Sequence, residues 1–516
     1  MEEIMSRTLS FGVNGVNGFP VQVEVFAIDG IPAMEIIGLP DASVKESKDR
    51  VSAAIRNSGK NTVPRRITVN LAPADMRKEG PSFDLPIAVG VMISMGQIIP
   101  DSSLDLRSIA FFGELSLDGY VQPVNGALPM VISAKENGVQ EVILPEKNAR
   151  EVSCIQGIRI LPVSHLTQVI DYCEGKGDLF AQEQIPFDTI QNKAVPATDM
   201  SLIKGQKGAR RAIEVAAAGG HNMLMIGVPG SGKTMLARCI PGILPPMTFE
   251  ESLETTRIHS ICGKLSSDVG LMVTRPFCAP HHNASVASLI GGGPEANPGE
   301  VSMAHNGVLF LDELPEFSRS ALEALRQPLE DGFVTVARAR RQASYQSSFM
   351  LVAAMNPCPC GYYGSSRRTC RCTPEEIRKY LDRLSGPLLD RIDIQIEVDS
   401  VPVSEINDNE PSESSASVAD RVRKARDVQQ QRYAGIGKYC NAQLTNAEVN
   451  RYCHPDQEAQ CLLNTAVDSM RLSMRAYQRI LKVARTIADL AGEESIHSAH
   501  IAEAIQYREL DQKYWR

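Results

Sequence analysis

The chain has 516 residues, 43% of them apolar and 22% charged, with a formal net charge of −8. That length is more than one hydrophobic core serves and points to about three domains. The composition excludes wholesale disorder, and the negative balance excludes a global attraction to nucleic acid or anionic lipid, so any phosphate binding must come from local Lys/Arg clusters.

The N-terminal "MEEIMSRTLSFGVNG" is acidic and lacks the basic-then-apolar profile of a secretory signal. The longest apolar run, "LPIAVGVMISMG" (Leu85 to Gly96), is shorter than the ~20 residues that cross a bilayer. A cytoplasmic chain with no membrane span is expected. Its twelve cysteines are then free thiols or ligands rather than disulfides. Residues 1 to about 170 alternate β-rich runs ("VQVEVFAI", "RITVNLA", "EVILP") with helix-like segments, the pattern of an α/β or α+β domain. Weak periodicity over 171–200 predicts a linker. A second α/β block follows over 201–400. The acidic, Ser-rich "NDNEPSESSAS" (407–417) breaks it, and the remainder, 401–516, has helical spacing and little strand signal, hence a helical C-terminal domain.

Within the second block, "NMLMIGVPGSGKTMLARCI" sets an apolar strand, a glycine loop and a helix in succession. Gly227, Val228, Pro229, Gly230, Ser231, Gly232, Lys233, Thr234 and Met235 form the expected nucleotide-binding loop. Its backbone N–H groups turn inward on phosphate, Lys233 bridges the β/γ oxygens, and the Thr234 hydroxyl completes a Mg²⁺ shell. Mg²⁺ needs further oxygen ligands and an attacking water needs orienting. "GVLFLDE" supplies both, with Val308 to Leu311 as a buried parallel strand that delivers Asp312 to Mg²⁺ and Glu313 to the water. A third strand, "FMLVAAMN", ends in Asn356, whose amide suits the γ-phosphate or the water. Arg391 in "SGPLLDRIDI" is the candidate arginine finger for a neighbouring subunit, and Arg475 in "LSMRAYQRILKVAR" begins a helix of the C-terminal domain. Either arginine has the surface ion pair as its alternative.

"EDGFVTVARARRQASYQSSF" alternates apolar and polar residues, which predicts a β-hairpin with one packed face. Its Arg338, Arg340 and Arg341 are the candidate DNA contacts, against the alternative of a solvated strand edge. His281 and His282 serve either DNA or ordinary capping and core hydrogen bonds. Just after Asn356, Cys358, Cys360, Cys370 and Cys372 form two ligand pairs on one short loop. Four thiolates suit Zn²⁺, less often an Fe–S cluster, with free thiols as the alternative. Four protein ligands leave no open position, so such a metal is a brace and not a catalytic centre. A loop stiffened in this way either holds Asn356 in register or, through Arg367, Arg368 and Arg371, presents positive charge to DNA.

The order of "LIKGQKGARRAIEVAAAGGHNMLMIGVPGSGKTMLA", "RPFCAPHH", "GGGPEANPGEVSMAHNGVLFLDEL", "AMNPCPCG" and "LLDRIDI" resembles the magnesium-chelatase-like branch of AAA+ ATPases. With the N-terminal domain included, nearly the whole chain resembles the ComM/YifB family. The resemblance implies a ring, a hexamer with ATP and Mg²⁺ between subunits, and a DNA helicase driving branch migration in natural transformation. It also assigns Lys233 and Thr234 to Walker A, Asp312 and Glu313 to Walker B, Asn356 to sensor 1, Arg391 to the arginine finger and Arg475 to sensor 2. Cys278 stands where that pattern carries arginine. "EGPSFDLPIAVGVM" and the segment after it resemble the Lon-protease-like domain of the ribosomal S5 domain 2 fold, with Ser82 at the nucleophile position. The position of the base is Met130, whose thioether cannot take the serine proton, so the resemblance implies a DNA-binding or ring-forming platform without peptidase activity. Lys60 to Arg66 and Met76 to Gly80 offer it basic contacts, with solvated loop charge as the commoner alternative. Three rivals remain: a magnesium-chelatase-type motor subunit that remodels a protein partner, an ATP-dependent protease, and a non-motor scaffold.

Overall fold

A computed structural model describes residues 5–60, 65–191, 198–265, 270–293, 296–338, 341–365, 368–401 and 412–515, with the side chains of 337–342 outside the description. The chain forms two compact units. Residues 1–193 and 249–273 make the first, and residues 194–248 and 274–516 the second.

The first unit is built on a seven-stranded mixed sheet. Its spatial order is Ala33–Ile37, Arg65–Ala72, Asn17–Asp29, Met5–Asn14, Ile109–Phe111, Glu141–Pro145, Arg159–Val163. The long hairpin Met5–Asn14/Asn17–Asp29 is antiparallel, and the pairs from Met5–Asn14 through Arg159–Val163 run parallel. The apolar run noted above forms helix Asp84–Ser94, buried at every position except Ile93, so it serves as a core helix. Among the described residues, no helix is long and apolar enough to cross a membrane. Helix Phe249–Ile261 also belongs to this unit. Phe249 meets Phe187 edge-on at 5.5 Å, and Ser260 donates to the buried Glu151 carboxylate. Burial raises the pKa of Glu151, opposed by hydrogen bonds from Ser260, Asn148 and the Leu128 N–H.

Ser82 lies buried in the 3-10 turn Pro81–Phe83, and Met130 is buried in helix Ala127–Glu136. Next to Ser82, the buried Asp84 accepts from Arg50 Nε at 2.7 Å and from the Leu115 N–H at 3.1 Å. The basic stretches offered as contacts are engaged within the unit: Lys60 contacts Glu174 at 3.0 Å, Arg65 Asp29 at 3.3 Å, Arg66 Glu35 at 3.8 Å and Arg77 Glu79 at 3.7 Å. Burial lowers the pKa of Lys78, which donates to the Met76 carbonyl.

The second unit carries a five-stranded sheet, all of whose pairs are parallel, in the order Phe277–Cys278, Val308–Leu311, Met350–Met355, Met223–Ile226, Ile394–Glu397. The three central strands are buried throughout, as continuous apolar runs covered on both faces should be. The C-terminal helices share the core of this sheet. Helix Met474–Ala491, capped by Ser473, packs Ile480, Val483, Ala484 and Ile487 inward together with Val418 and Val422 of helix Ser415–Arg432. It also buries a polar joint. Asp489 receives Arg485 Nε at 3.0 Å, Arg432 at 2.6 and 3.1 Å, and Asn441 Nδ2 at 2.9 Å. Asn441 and Thr486 continue it to His221, which reaches Asp393 at 3.1 Å. Of the Ser-rich acidic break, residues 407–411 lie outside the described residues, and its last three residues already open helix Ser415–Arg432.

Candidate nucleotide site and thiol cluster

Because the strands are parallel and Met350–Met355 lies between Val308–Leu311 and Met223–Ile226, three distant segments end side by side at one sheet edge. These are the loop 227–234, the pair 312–313, and Asn356. The loop is tied to its neighbour by the Gly227 N–H, which donates to the Met355 carbonyl at 3.1 Å. Gly230 and Gly232 have φ of 78° and 90°, backbone that only glycine adopts cheaply, and Gly232 leads directly into the N-terminus of helix Lys233–Cys239.

Lys233 Nζ donates to the Gly227 carbonyl at 2.7 Å, the Val228 carbonyl at 3.0 Å and Asn356 Oδ1 at 3.4 Å. Burial lowers its pKa, while the Asp312 and Glu313 charges act in the opposite direction. Thr234 Oγ1 donates to Asp312 Oδ2 at 2.8 Å, and Asp312 Oδ1 takes the Glu313 N–H at 2.9 Å. Glu313 has left-handed backbone, φ 53°, at the sharp turn off the strand, and its Oε2 lies 3.1 Å from His282 Nδ1. His282 therefore contacts an acid of this site, while His281 Nδ1 accepts the Asn283 N–H.

These residues fit a nucleotide triphosphate with Mg²⁺. The buried Ser231 hydroxyl has no hydrogen-bond partner among the described residues, and the Lys233 ammonium meets only neutral acceptors. A glycine loop at a helix N-terminus, a lysine whose hydrogen bonds go only to neutral acceptors and a hydroxyl–carboxylate pair together suit an anion carrying an oxygen-seeking cation. Beside the loop a 330 Å³ cleft is lined by apolar Leu202, Ile203, Met235 and Val401 together with polar Lys204, Gln206 and Ser400, a mixed lining that suits a nucleobase. The sequence reading missed Leu202, Ile203 and Val401, for they carry no motif. It also left His282 without this partner; only its place in "RPFCAPHH" marked it.

Of the two expected arginines, Arg391 is held by Glu330 and by the Pro387 carbonyl at 3.1 Å, with 16% of its side chain exposed. Arg475 contacts Asp390 at 3.2 Å. Both thus adjoin the turn 390–391, and no described hydrogen bond or ion pair links either to Lys233, Asp312, Glu313 or Asn356.

The expected hairpin is present as Phe333–Arg338 paired with Arg341–Gln346. Val334, Val336, Ala343 and Tyr345 form its packed face. Arg338 and Arg341 pair across its tip; their side chains, and Arg340 altogether, lie outside the description.

The four cysteines converge. Cys358 Sγ lies 3.4 Å from Cys360 Sγ and 3.7 Å from Cys370 Sγ, and Cys360 and Cys370 are 3.6 Å apart. With Cys372 all four sulfurs fall within 4.8 Å of one another. A tetrahedral site with Zn–S bonds of about 2.3 Å has sulfurs about 3.8 Å apart, so the donor set fits zinc. Backbone N–H groups of Arg371 and Tyr362 stabilise the Cys360 thiolate and lower its pKa to about 6. Arg368 stacks on Tyr362, 4.5 Å from the ring centroid, and donates to its hydroxyl at 3.1 Å. Arg367 lies outside the described residues.

Comparison with known proteins agrees with this arrangement. The family model described as magnesium chelatase, subunit ChlI, matches residues 199–406, and two further ChlI models match 23–148 and 412–508. Competence protein ComM of Haemophilus influenzae is 42% identical over 501 residues, covering 96% of both chains. The chain belongs to the ComM/YifB family. YifB of Escherichia coli K12 is equally similar, 42% over 498 residues and 96% of each chain. Lon protease 2 of Bacillus subtilis is 29% identical over 183 residues, 33% of this chain and 32% of that protein. As a family member the protein has a magnesium-chelatase-like AAA+ core on the parallel sheet, an N-terminal domain of the Lon-like S5 domain 2 fold, and a C-terminal helical lid.

Proposed function

We propose that the protein is an ATP-hydrolysing ring motor, a hexamer, that acts on DNA as a branch-migration helicase in recombination or natural transformation. The observation that carries this reading is the convergence of Lys233, the Thr234–Asp312 pair, Glu313 and Asn356 at one sheet edge. Directly before strand Met350–Met355, which Asn356 follows, stands the hairpin that pairs Arg338 with Arg341 at its tip. The relative ComM is named a competence protein, and that name suggests DNA as the partner.

MgATP supplies the transferable phosphoryl group and the charge that must be stabilised. Lys233 and the loop N–H groups orient the phosphates, Thr234 and Asp312 hold Mg²⁺, and Asn356 positions the γ-phosphate or the water. Glu313 accepts the proton of the water. Arg391 acts across a subunit boundary as the arginine finger, and Arg475 on the lid helix as sensor 2. Arg338, Arg340 and Arg341, gathered around a ring, contact the phosphate backbone without reading bases. The thiol loop holds structural zinc, and the N-terminal domain is a platform without peptidase activity.

The test is the ATPase rate with single-stranded, duplex and four-way-junction DNA. We expect stimulation, strongest with the junction. Absence of stimulation by any DNA would instead favour a chelatase-type motor subunit acting on a protein partner, the reading that the ChlI family models support. Arg391→Ala should lower turnover by about 10³-fold, with nucleotide still bound, because the finger acts on transition-state charge. Replacing Arg338, Arg340 and Arg341 by alanine should weaken DNA binding and flatten its salt dependence by roughly 0.7–0.9 log units for each phosphate no longer neutralised. An unchanged salt slope would leave the hairpin as a solvated edge.

A further inference from the structure

The thiol loop is physically continuous with the nucleotide cradle. Cys358 follows Asn356 by two residues, and Asn356 Oδ1 is an acceptor for Lys233 Nζ at 3.4 Å. A ligand bond at Cys358 would therefore anchor the chain just beyond the strand end that presents this amide. The loop then turns back on itself, the Gly361 N–H donating to the Cys358 carbonyl at 2.9 Å. Gly361 rests against Pro229 of the phosphate loop. A Cβ added at Gly361, whose φ is 84°, would stand 2.7 Å from both Cδ and Cγ of Pro229 and 3.8 Å from Cγ of Asn356.

The far side of the loop is seated as well. The Tyr363 ring meets Tyr514 at 6.3 Å, and the Tyr514 hydroxyl donates to Glu397 at 2.7 Å. Glu397 ends the strand that pairs with the phosphate-loop strand, opposite Ile226. One loop thus touches the phosphate loop and, through Tyr514, the strand beside it. The sulfurs of Cys358, Cys360 and Cys370 already stand 3.4, 3.6 and 3.7 Å apart, that of Cys372 lies within 4.8 Å of them, and no disulfide links the four. A metal that joined both cysteine pairs would be the cross-link that fixes where Gly361 meets Pro229.

We propose that zinc held by Cys358, Cys360, Cys370 and Cys372 sets the position of the phosphate loop through the Gly361–Pro229 contact, so that metal occupancy governs nucleotide affinity. This rests on reading residues 227–234 as the ATP site. Loss of zinc frees the loop, the Gly361–Pro229 packing loosens, and the phosphate loop must be ordered by nucleotide at the expense of affinity.

The test uses the full-length protein, zinc content by elemental analysis, and titration with a fluorescent ATP analogue plus Mg²⁺. The expected results are about one zinc per chain, and a loss of affinity of tenfold or more when a mercurial thiol reagent with chelator strips it. Affinity should return when reductant and Zn²⁺ are added back, since only a reversible loss separates metal control from misfolding. Gly361→Ala should keep its zinc yet bind the analogue at least tenfold more weakly, and this variant decides where stripped protein does not recover. Nucleotide binding with no zinc bound overturns the metal site and leaves the ATP reading intact. Zinc that can be removed and restored at constant affinity, or Gly361→Ala with wild-type affinity, overturns the coupling. No nucleotide binding by the zinc-loaded protein overturns the ATP reading itself.

Discussion

Glu313→Gln should lower ATP turnover by about 10²–10⁴-fold, the usual range for removing a general base, while nucleotide affinity stays near that of the unsubstituted protein. The separation follows from which atoms each acid engages. Asp312 is bound to the Thr234 hydroxyl at the place where Mg²⁺ is expected, whereas the Glu313 side chain points to His282 and shares no hydrogen bond with Lys233 or Thr234. Glutamine keeps the shape and can still meet His282, but its amide cannot accept a proton from water. Single-turnover hydrolysis measured beside equilibrium binding separates the two effects. Turnover within tenfold of the unsubstituted protein would remove Glu313 from the role of base. Lys233→Ala gives the contrasting result, a loss of binding, because the β/γ oxygens lose their cation.

Much of this site was legible because each part is local in sequence. A strand, a glycine loop and a helix in succession leave few alternatives, and an apolar run ending in Asp312 and Glu313 can only be buried up to its acids. The paired cysteines and the alternating hairpin were readable for the same reason. What could not be read was long-range. Helix Phe249–Ile261 has no motif and no clear apolar stripe, so nothing in its residues foretells that Phe249 meets Phe187 in the first unit. The basic residues Lys60, Arg65 and Arg66 read as solvated charge or as basic contacts until their carboxylate partners are seen, one of them, Glu174, far along the chain. His282 and Glu313 are 31 positions apart, and their contact exists only because the segment after strand Phe277–Cys278 lies beside the strand that delivers Glu313. Arg485 and Asp489 mislead in the opposite sense: four residues apart on a helix, they look like an ordinary surface pair, whose contribution is usually slight.

Asp489→Ala should be the most destabilising single change in the lid. The Asp489 side chain is fully buried and that of Arg485 is 2% exposed, so this pair is nearly dry. The carboxylate holds three groups at once: Arg485, Arg432 and the Asn441 amide. Removing it leaves a buried guanidinium with only the Glu493 and Glu494 carbonyls as acceptors and no opposing charge. Breaking one side of such a pair costs about 3–5 kcal/mol. The loss also reaches the cradle, because Asp489 holds the Asn441 amide that donates to the Thr486 hydroxyl, and this hydroxyl meets His221, two residues before strand Met223–Ile226. Denaturant unfolding of the second unit should show the drop, with weakened nucleotide binding alongside it. A sharper check is the double change Arg485→Met with Asp489→Met. Arg432, 19% exposed, can turn to water, and the buried Arg485 charge is gone, so the double variant should be more stable than Asp489→Ala alone. If Asp489→Ala costs less than about 1 kcal/mol, the joint is no more than a surface ion pair in effect, and its link to the phosphate loop falls with it.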